Sequence, residues 1–396
     1  MDLSERIERR QMRTRDDRLL LDRSLLSPTV HLEEPVGRAP ALESLLDAVA
    51  PVFEGQLPPT LAVTGPAGVG KSAVVGSLFG ALDQRLGVGG SIATTTRGGS
   101  PQRWFATVDC RHAPTPFRFY RQLLCQFEDA EVPAHGVGTE RLESQVIDHL
   151  SPQGRWAVIA VDHVDDAPEL DAAGVRNLLD PVADSVSLTW VGRDPPIDPD
   201  RTVHIEPYRH HALTDVLAHR CSRAASTDAF DHDDLRTIAA RREGNAHDAL
   251  AVALGAALLA EAADDPAVDR EHLTAASAAV PEDTVHLDAV IALPENRRRV
   301  LAALLKLDPA PTVGEAAREI ADRTDLTAGT VRRFCYELSD AGILARHGGD
   351  ADARGRDPSH LTPAFPWLAL AGIDDVLSVE EVRDRVEREA ATVAAW

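Results

Sequence analysis

The sequence predicts an α/β protein: a doubly wound, mostly parallel sheet, then an all-helical unit, then a terminal unit of three helices and a hairpin. Three observations predict it. Residues 65–72 match G-x-x-x-x-G-K-[ST] between an apolar strand and a helix pattern. Apolar strand-like runs alternate with helical patterns from residue 60 to 191, the signature of a parallel sheet covered on both faces. Beyond Glu206 strand signals stop, and they return only as two short runs near Ile343 and His360.

The motif reads Gly65-Pro66-Ala67-Gly68-Val69-Gly70-Lys71-Ser72. Thr60–Thr64 before it is a short buried strand, and a helix runs on through Ala73–Phe79. Glycines let successive backbone N–H groups turn inward around phosphate oxygens, and the helix N-terminus adds its dipole. Lys71 is placed to reach β- and γ-phosphates and the Ser72 hydroxyl to bind Mg²⁺. Only Lys71 and Lys306 are lysine among 41 basic residues, so a chain that otherwise writes positive charge as arginine keeps lysine here.

A helix over Ala41–Leu46 leads up to the first strand. Gly87–Ser100, rich in Gly, Ser and Thr, predicts a flexible loop. Phe105–Asp109 is the second strand. Helices follow through Phe119–Phe127 and Leu142–Leu150, and Trp156–Val161 is an unbroken apolar strand with both faces covered. Ser185–Val191 is the fourth. Asp162, closing the third strand, suits a carboxylate that holds water-coordinated Mg²⁺ under the loop.

After Glu206, helical patterns run through Leu213–Leu217, Leu235–Ile238 and Ala249–Ala260. Arg297–Leu307 is an amphipathic helix, Thr312–Glu315 a capping box opening another, and Thr327 caps a third that reaches Leu338. Ile343–Leu344 and His360–Leu361 form a hairpin, completing a winged-helix pattern, and Ser378–Thr392 is a last amphipathic helix. The boundaries are residues 1–25 for a mobile or loosely docked charged segment, 26–205 for the nucleotide-binding core, 206–282 for the helical lid and 283–396 for the winged helix with its final helix.

On the helix from Thr327, Val331, Phe334 and Leu338 share one face. Gly329, Arg332, Arg333 and Tyr336 share the opposite one, as a major-groove recognition helix would require. Arg354 and Arg356 at the hairpin tip suit a wing on duplex DNA. The alternative is a solvated face on a protein-docking module. Residues 284–372 hold eleven basic and twelve acidic side chains, a net of −1 within a chain of −22. An acid-rich, lysine-poor composition resembles that of proteins from salt-loving archaea, where surplus acid keeps the surface solvated. Four cysteines without a C-x-x-C pair exclude a zinc ribbon or disulfide framework and fit a reducing cytoplasm. The longest apolar run, Ala249–Ala260, is too short for a membrane span.

Taken in order, these motifs resemble the archaeal origin-recognition initiator family, AAA+ ATPases of the origin-recognition-complex type. The residues that carry the resemblance are the loop, Val108–Arg111 with Thr115–Phe117, Val161–Asp165, Glu206-Pro207-Tyr208, Gly244-Asn245-Ala246 and the terminal winged helix, over roughly residues 26–365. The resemblance implies ATP or ADP bound between core and lid with Mg²⁺, near Tyr208 and the lid position His247. It also implies double-stranded origin DNA as partner, with a replicative helicase or a paralogous initiator beyond it, and no membrane. Three positions depart from the family. His163 stands where these ATPases carry the glutamate that polarises water, Gly192-Arg193-Asp194 where a polar sensor is usual, and His247 where the lid has arginine. Arg201 is the one candidate for an arginine finger. The departures imply a divergent initiator that binds nucleotide and hydrolyses it slowly or not at all, with His163 a doubtful base. Two other readings stay open: a nucleotide-gated transcriptional regulator, and a signalling P-loop NTPase that binds no DNA.

Overall fold

In the computed structural model the described residues are 18–87, 102–127, 132–133, 136–164, 170–194, 198–281, 285–307, 310–348, 359–373, 378, 381–382, 384–386 and 388. The loop expected over 87–100 falls almost wholly outside them, as do Arg354 and Arg356 at the hairpin tip. The chain divides into two compact units, one of His31–Tyr208 and one combining the residues up to Val30 with those from Arg209 onward.

The first unit is built on five parallel strands: β1 (Leu61–Thr64), β2 (Arg103–Asp109), β3 (Trp156–Asp162), β4 (Val186–Val191) and β5 (Arg201–His204). Their order across the sheet is β2-β3-β4-β1-β5. All seven residues of β3 are buried, because both of its faces are covered. Alternate side chains point to opposite faces. Ala157, Ile159 and Val161 join one core with α3 (Pro116–Phe127), α4 (Thr139–Leu150) and α5 (Ala172–Leu179). Trp156, Val158 and Ala160 join the other with α1 (Ala39–Ala48) and α2 (Lys71–Leu86). The four strands read from sequence are all present. The fifth is not legible there: of Arg201-Thr202-Val203-His204 only Val203 is buried, so the apolar signal is a single residue on an edge strand. Helix α5, eight residues with two buried positions, likewise has no expected counterpart.

The second unit holds α6 (His210–Ala224), α7 (His232–Arg241), α8 (Ala246–Ala262) and α9 (Arg270–Ala278). Helix α8 is buried at every position but Glu261, as an all-round apolar helix must be. The segment before the core docks on these helices. Leu20 bridges Ala225 in antiparallel fashion, and the Arg220 guanidinium donates to Ser27 O at 2.8 Å and Val30 O at 2.7 Å. Leu19, Leu20 and Leu26 are buried, each worth about 1.5–3 kcal/mol of apolar transfer. Of the mobile or loosely docked segment expected over 1–25, residues 1–17 lie outside the described ones, and the rest is bound along this route.

The capping box at Thr312 and the cap at Thr327 form as expected. They open α12 (Val313–Arg323) and α13 (Ala328–Asp340), after α10 (Leu287–Ile291) and α11 (Glu295–Leu305). Strands β6 (Leu344–His347) and β7 (His360–Pro363) pair antiparallel. A further short helix, α14 (Trp367–Ile373), packs on α8. A Cβ at Gly255 would stand 3.2 Å from Leu368 Cβ, and one at Gly372 3.0 Å from Leu258 Cδ1, so the missing side chains are what let these helices approach. Of the helix expected over 378–392 only a few residues are described, among them Arg385, fully buried, with Nη1 donating to Leu305 O. Among the described residues no helix is long and apolar enough to cross a membrane.

Candidate nucleotide and nucleic-acid sites

In the first unit the C-terminal ends of the strands converge on the glycine loop. Asp109 lies opposite Asp162 across β2 and β3, Asp162 opposite Val191, and Val191 opposite Val63, just before the loop. Gly65, Gly68 and Gly70 have φ of +148°, +70° and +83°, values that side chains disfavour and that turn backbone N–H groups inward. Gly65 is constrained twice: a Cβ there would lie 2.3 Å from Ile205 O, just past β5. Gly65→Ala is therefore expected to cost about 2–4 kcal/mol through steric overlap and backbone strain. Urea unfolding of the variant checks this, and unchanged stability would mean that Ile205 does not press on the loop.

Helix α2 begins at Lys71 with Gly70 as its N-cap, which puts Ser72 in its first turn. The Lys71 ammonium donates to Gly65 O at 2.9 Å and Pro66 O at 2.7 Å, spanning the loop. Burial lowers its pKa, the Asp162 charge opposes that shift, and the Arg193 charge adds to it. Asp162 is 5% exposed. Its Oδ1 accepts from His163 N at 2.9 Å, and His163 Nε2 lies 3.5 Å from the same oxygen. His163 has φ +56°, a left-handed conformation costing about 1 kcal/mol for a side-chain-bearing residue, and it folds the ring back toward its neighbour's carboxylate. Beside them, burial would raise the Asp109 pKa, but hydrogen bonds from His112 and Arg111 and the charges of Arg111 and His163 outweigh this and hold it far below the carboxylate range. Arg111 Nη2 stands 2.7 Å from Asp109 Oδ2.

Arg38 is a site residue that sequence reading does not single out. Its guanidinium lies 3.4 Å over the Tyr208 ring centroid and donates to Val69 O at 2.7 Å, so it ties the start of α1, the loop and Tyr208 together. Burial lowers its pKa, and Tyr208 opposes that shift. The Tyr208 hydroxyl is 3.5 Å from where a Gly70 Cβ would stand. The only sequence signal is an arginine just before a helix, which has many commoner explanations. Pro66, Ala67 and Val69 complete the loop, with Val69 buried in the core beneath it.

Residues 34–191 match the family described as AAA ATPase domain. That stretch, most of the first unit, is similar to AAA ATPase domains. Along most of its length the chain is also similar to archaeal replication proteins. It is 25% identical over 346 residues to ORC1-type DNA replication protein 1 of Aeropyrum pernix, covering 81% of this chain and 85% of that protein. It is 24% identical over 342 residues to ORC1-type DNA replication protein 6 of Halobacterium salinarum, covering 81% and 86%. In fold it resembles the Aeropyrum pernix ORC1 protein in complex with DNA, with a TM-score of 0.59, 22% identity, and 96% and 99% of the two chains covered. It also resembles Cdc6p from Pyrobaculum aerophilum, with a TM-score of 0.51, 16% identity, and 94% and 99% covered. The proteins these comparisons return are of the kind the motifs resemble.

Two residues expected at the nucleotide have hydrogen-bond partners away from the loop. Arg201, the finger candidate, opens edge strand β5 and donates to Asp47 O at 3.1 Å. His247, in the second unit, is 6% exposed, and both ring nitrogens have partners inside that unit.

The face expected on α13 is sorted as the periodicity requires. Val331, Phe334 and Leu338 are buried, and Gly329, Arg332, Arg333 and Tyr336 are exposed. The hairpin adds an arginine that sequence reading misses: Arg346 on β6 lies 5.4 Å over the Tyr336 ring. Its contact is made from strand β6 to helix α13, so no helical spacing reveals it.

Proposed function

We propose that this protein is a replication-initiator-type switch that binds ATP or ADP with Mg²⁺ in its AAA domain and duplex DNA through a C-terminal winged helix, with little or no turnover. The observation that carries the nucleotide half is the loop itself: three glycines at positive φ, an ammonium held across the loop, and a buried carboxylate at the end of β3. Ser72 and Asp162 would hold Mg²⁺, since one hydroxyl and one carboxylate are hard oxygen donors that leave room for the waters this ion keeps. The bound ion would neutralise charge on the β- and γ-phosphates. Lys71 would hold those phosphates.

Slow turnover follows from His163. Its strained backbone aims the ring at Asp162 rather than leaving a carboxylate free to polarise water. Purified protein is expected to bind ATP in calorimetry, to hydrolyse it orders of magnitude below the ~1–10³ s⁻¹ typical of enzymes, and to bind duplex in fluorescence anisotropy. His163→Glu should keep ATP affinity and raise the rate. Brisk wild-type turnover lost in His163→Ala would make the histidine the base. Nucleotide binding without any duplex binding would favour the signalling reading.

A further inference from the structure

His247 occupies the lid position where the resembling family has arginine, and its surroundings give it different work. It is the second residue of α8, whose N-cap is Asn245. Leu287 N, the first amide of α10, donates to His247 Nε2 at 3.0 Å. A backbone N–H can only donate, so Nε2 is the unprotonated nitrogen and Nδ1 carries the proton. That proton is given to Asp248 Oδ1 at 2.8 Å. Asp248, itself 5% exposed, accepts from Asn245 Nδ2 at 2.7 Å on its other oxygen. Its carboxylate sits in the first turn of α8, where the helix dipole favours negative charge. The His286 ring stacks on His247 at 4.2 Å between centroids and 11° between planes. The residues on the far side of this joint, His286 and Leu287, open the terminal unit.

We propose that His247 is a positioning residue that latches the winged-helix unit to the lid, accepting the amide at the start of that unit instead of contacting nucleotide. The chemistry explains why arginine cannot stand here. A guanidinium has five donors and no acceptor, so arginine would face the Leu287 amide donor to donor and leave it buried and unpaired. Replacing arginine by histidine converts a donor-only position into an acceptor. The seam of α14 on α8 at Gly255 and Gly372 holds the same two parts together from another side. The latch is independent of the proposed function, and only the ATP and DNA readouts rest on that reading.

Three readouts test it on the full chain. Histidine-labelled nitrogen NMR of the wild type should show His247 protonated at Nδ1 and bare at Nε2, the minor tautomer of free imidazole. Hydrogen exchange at Leu287 should speed up at least tenfold in His247→Ala and His247→Arg. It should stay near wild type in His247→Gln, whose amide oxygen can accept. ATP affinity should be unchanged within about twofold in all three, while duplex affinity falls in the Ala and Arg variants. An Nε2–H tautomer, or Leu287 protection intact in His247→Arg, would overturn the latch. So would a tenfold loss of ATP affinity with exchange unchanged, which would return His247 to the nucleotide. If a variant does not fold, the wild-type tautomer still decides. A correct tautomer in a protein that binds no DNA would sink the proposed function and leave the latch standing.

Discussion

Lys71→Ala should abolish measurable ATP and ADP binding while the AAA domain stays folded. The ammonium spans the loop through Gly65 O and Pro66 O, and it is the positive charge in the loop that polyphosphate oxygens would meet. Charge-assisted hydrogen bonds in a partly desolvated site are worth roughly twice neutral ones, about 1.5–3 kcal/mol each. Loss of two such bonds to phosphate removes at least a hundredfold of affinity at about 1.4 kcal/mol per decade. The substitution also deletes the two bonds to the loop, so the same preparation needs a thermal melt. A melt within a few degrees of wild type, with calorimetric affinity gone, is the expected pair of results. Retained affinity would show that the loop is not the nucleotide site.

Arg332→Ala and Arg333→Ala should each cost about 1–3 kcal/mol on a specific duplex, and less on random sequence. Both side chains are exposed on the face of α13 opposite Val331, Phe334 and Leu338, so the fold does not depend on them. Arg333 also pairs with Glu337 at 3.5 Å, largely solvated, and lies 5.1 Å over the Phe334 ring, exposed contacts worth about 1 kcal/mol or less each. Arg346→Ala removes the cation over Tyr336. It should weaken both duplexes alike and reduce the salt dependence by about one ion if it meets phosphate. Isotherms on both duplexes at several salt concentrations separate these behaviours. Unchanged binding in all three variants would make this face a docking surface for protein.

Much of this molecule was determined locally. The G-x-x-x-x-G-K-S spacing, strands β1 to β4 and the α13 face are legible because each depends on residues near in sequence: a turn needing glycines, an apolar run, a 3.6-residue repeat. The caps at Thr312 and Thr327 are equally local, since a side-chain oxygen needs only the amide three residues ahead. What tertiary structure decided depends on partners far along the chain. Strand β5 exists because Arg201–His204 pairs with Leu61–Thr64, although its own sequence is mostly polar. That pairing brings Ile205 against the loop and explains why Gly65 admits no side chain. Arg38 reaches the loop only because Val69 and Tyr208 fold around it. His247 follows the same rule: its place beside a lid motif suggested nucleotide, but a donor forty residues away, the Leu287 amide, decides which ring nitrogen accepts.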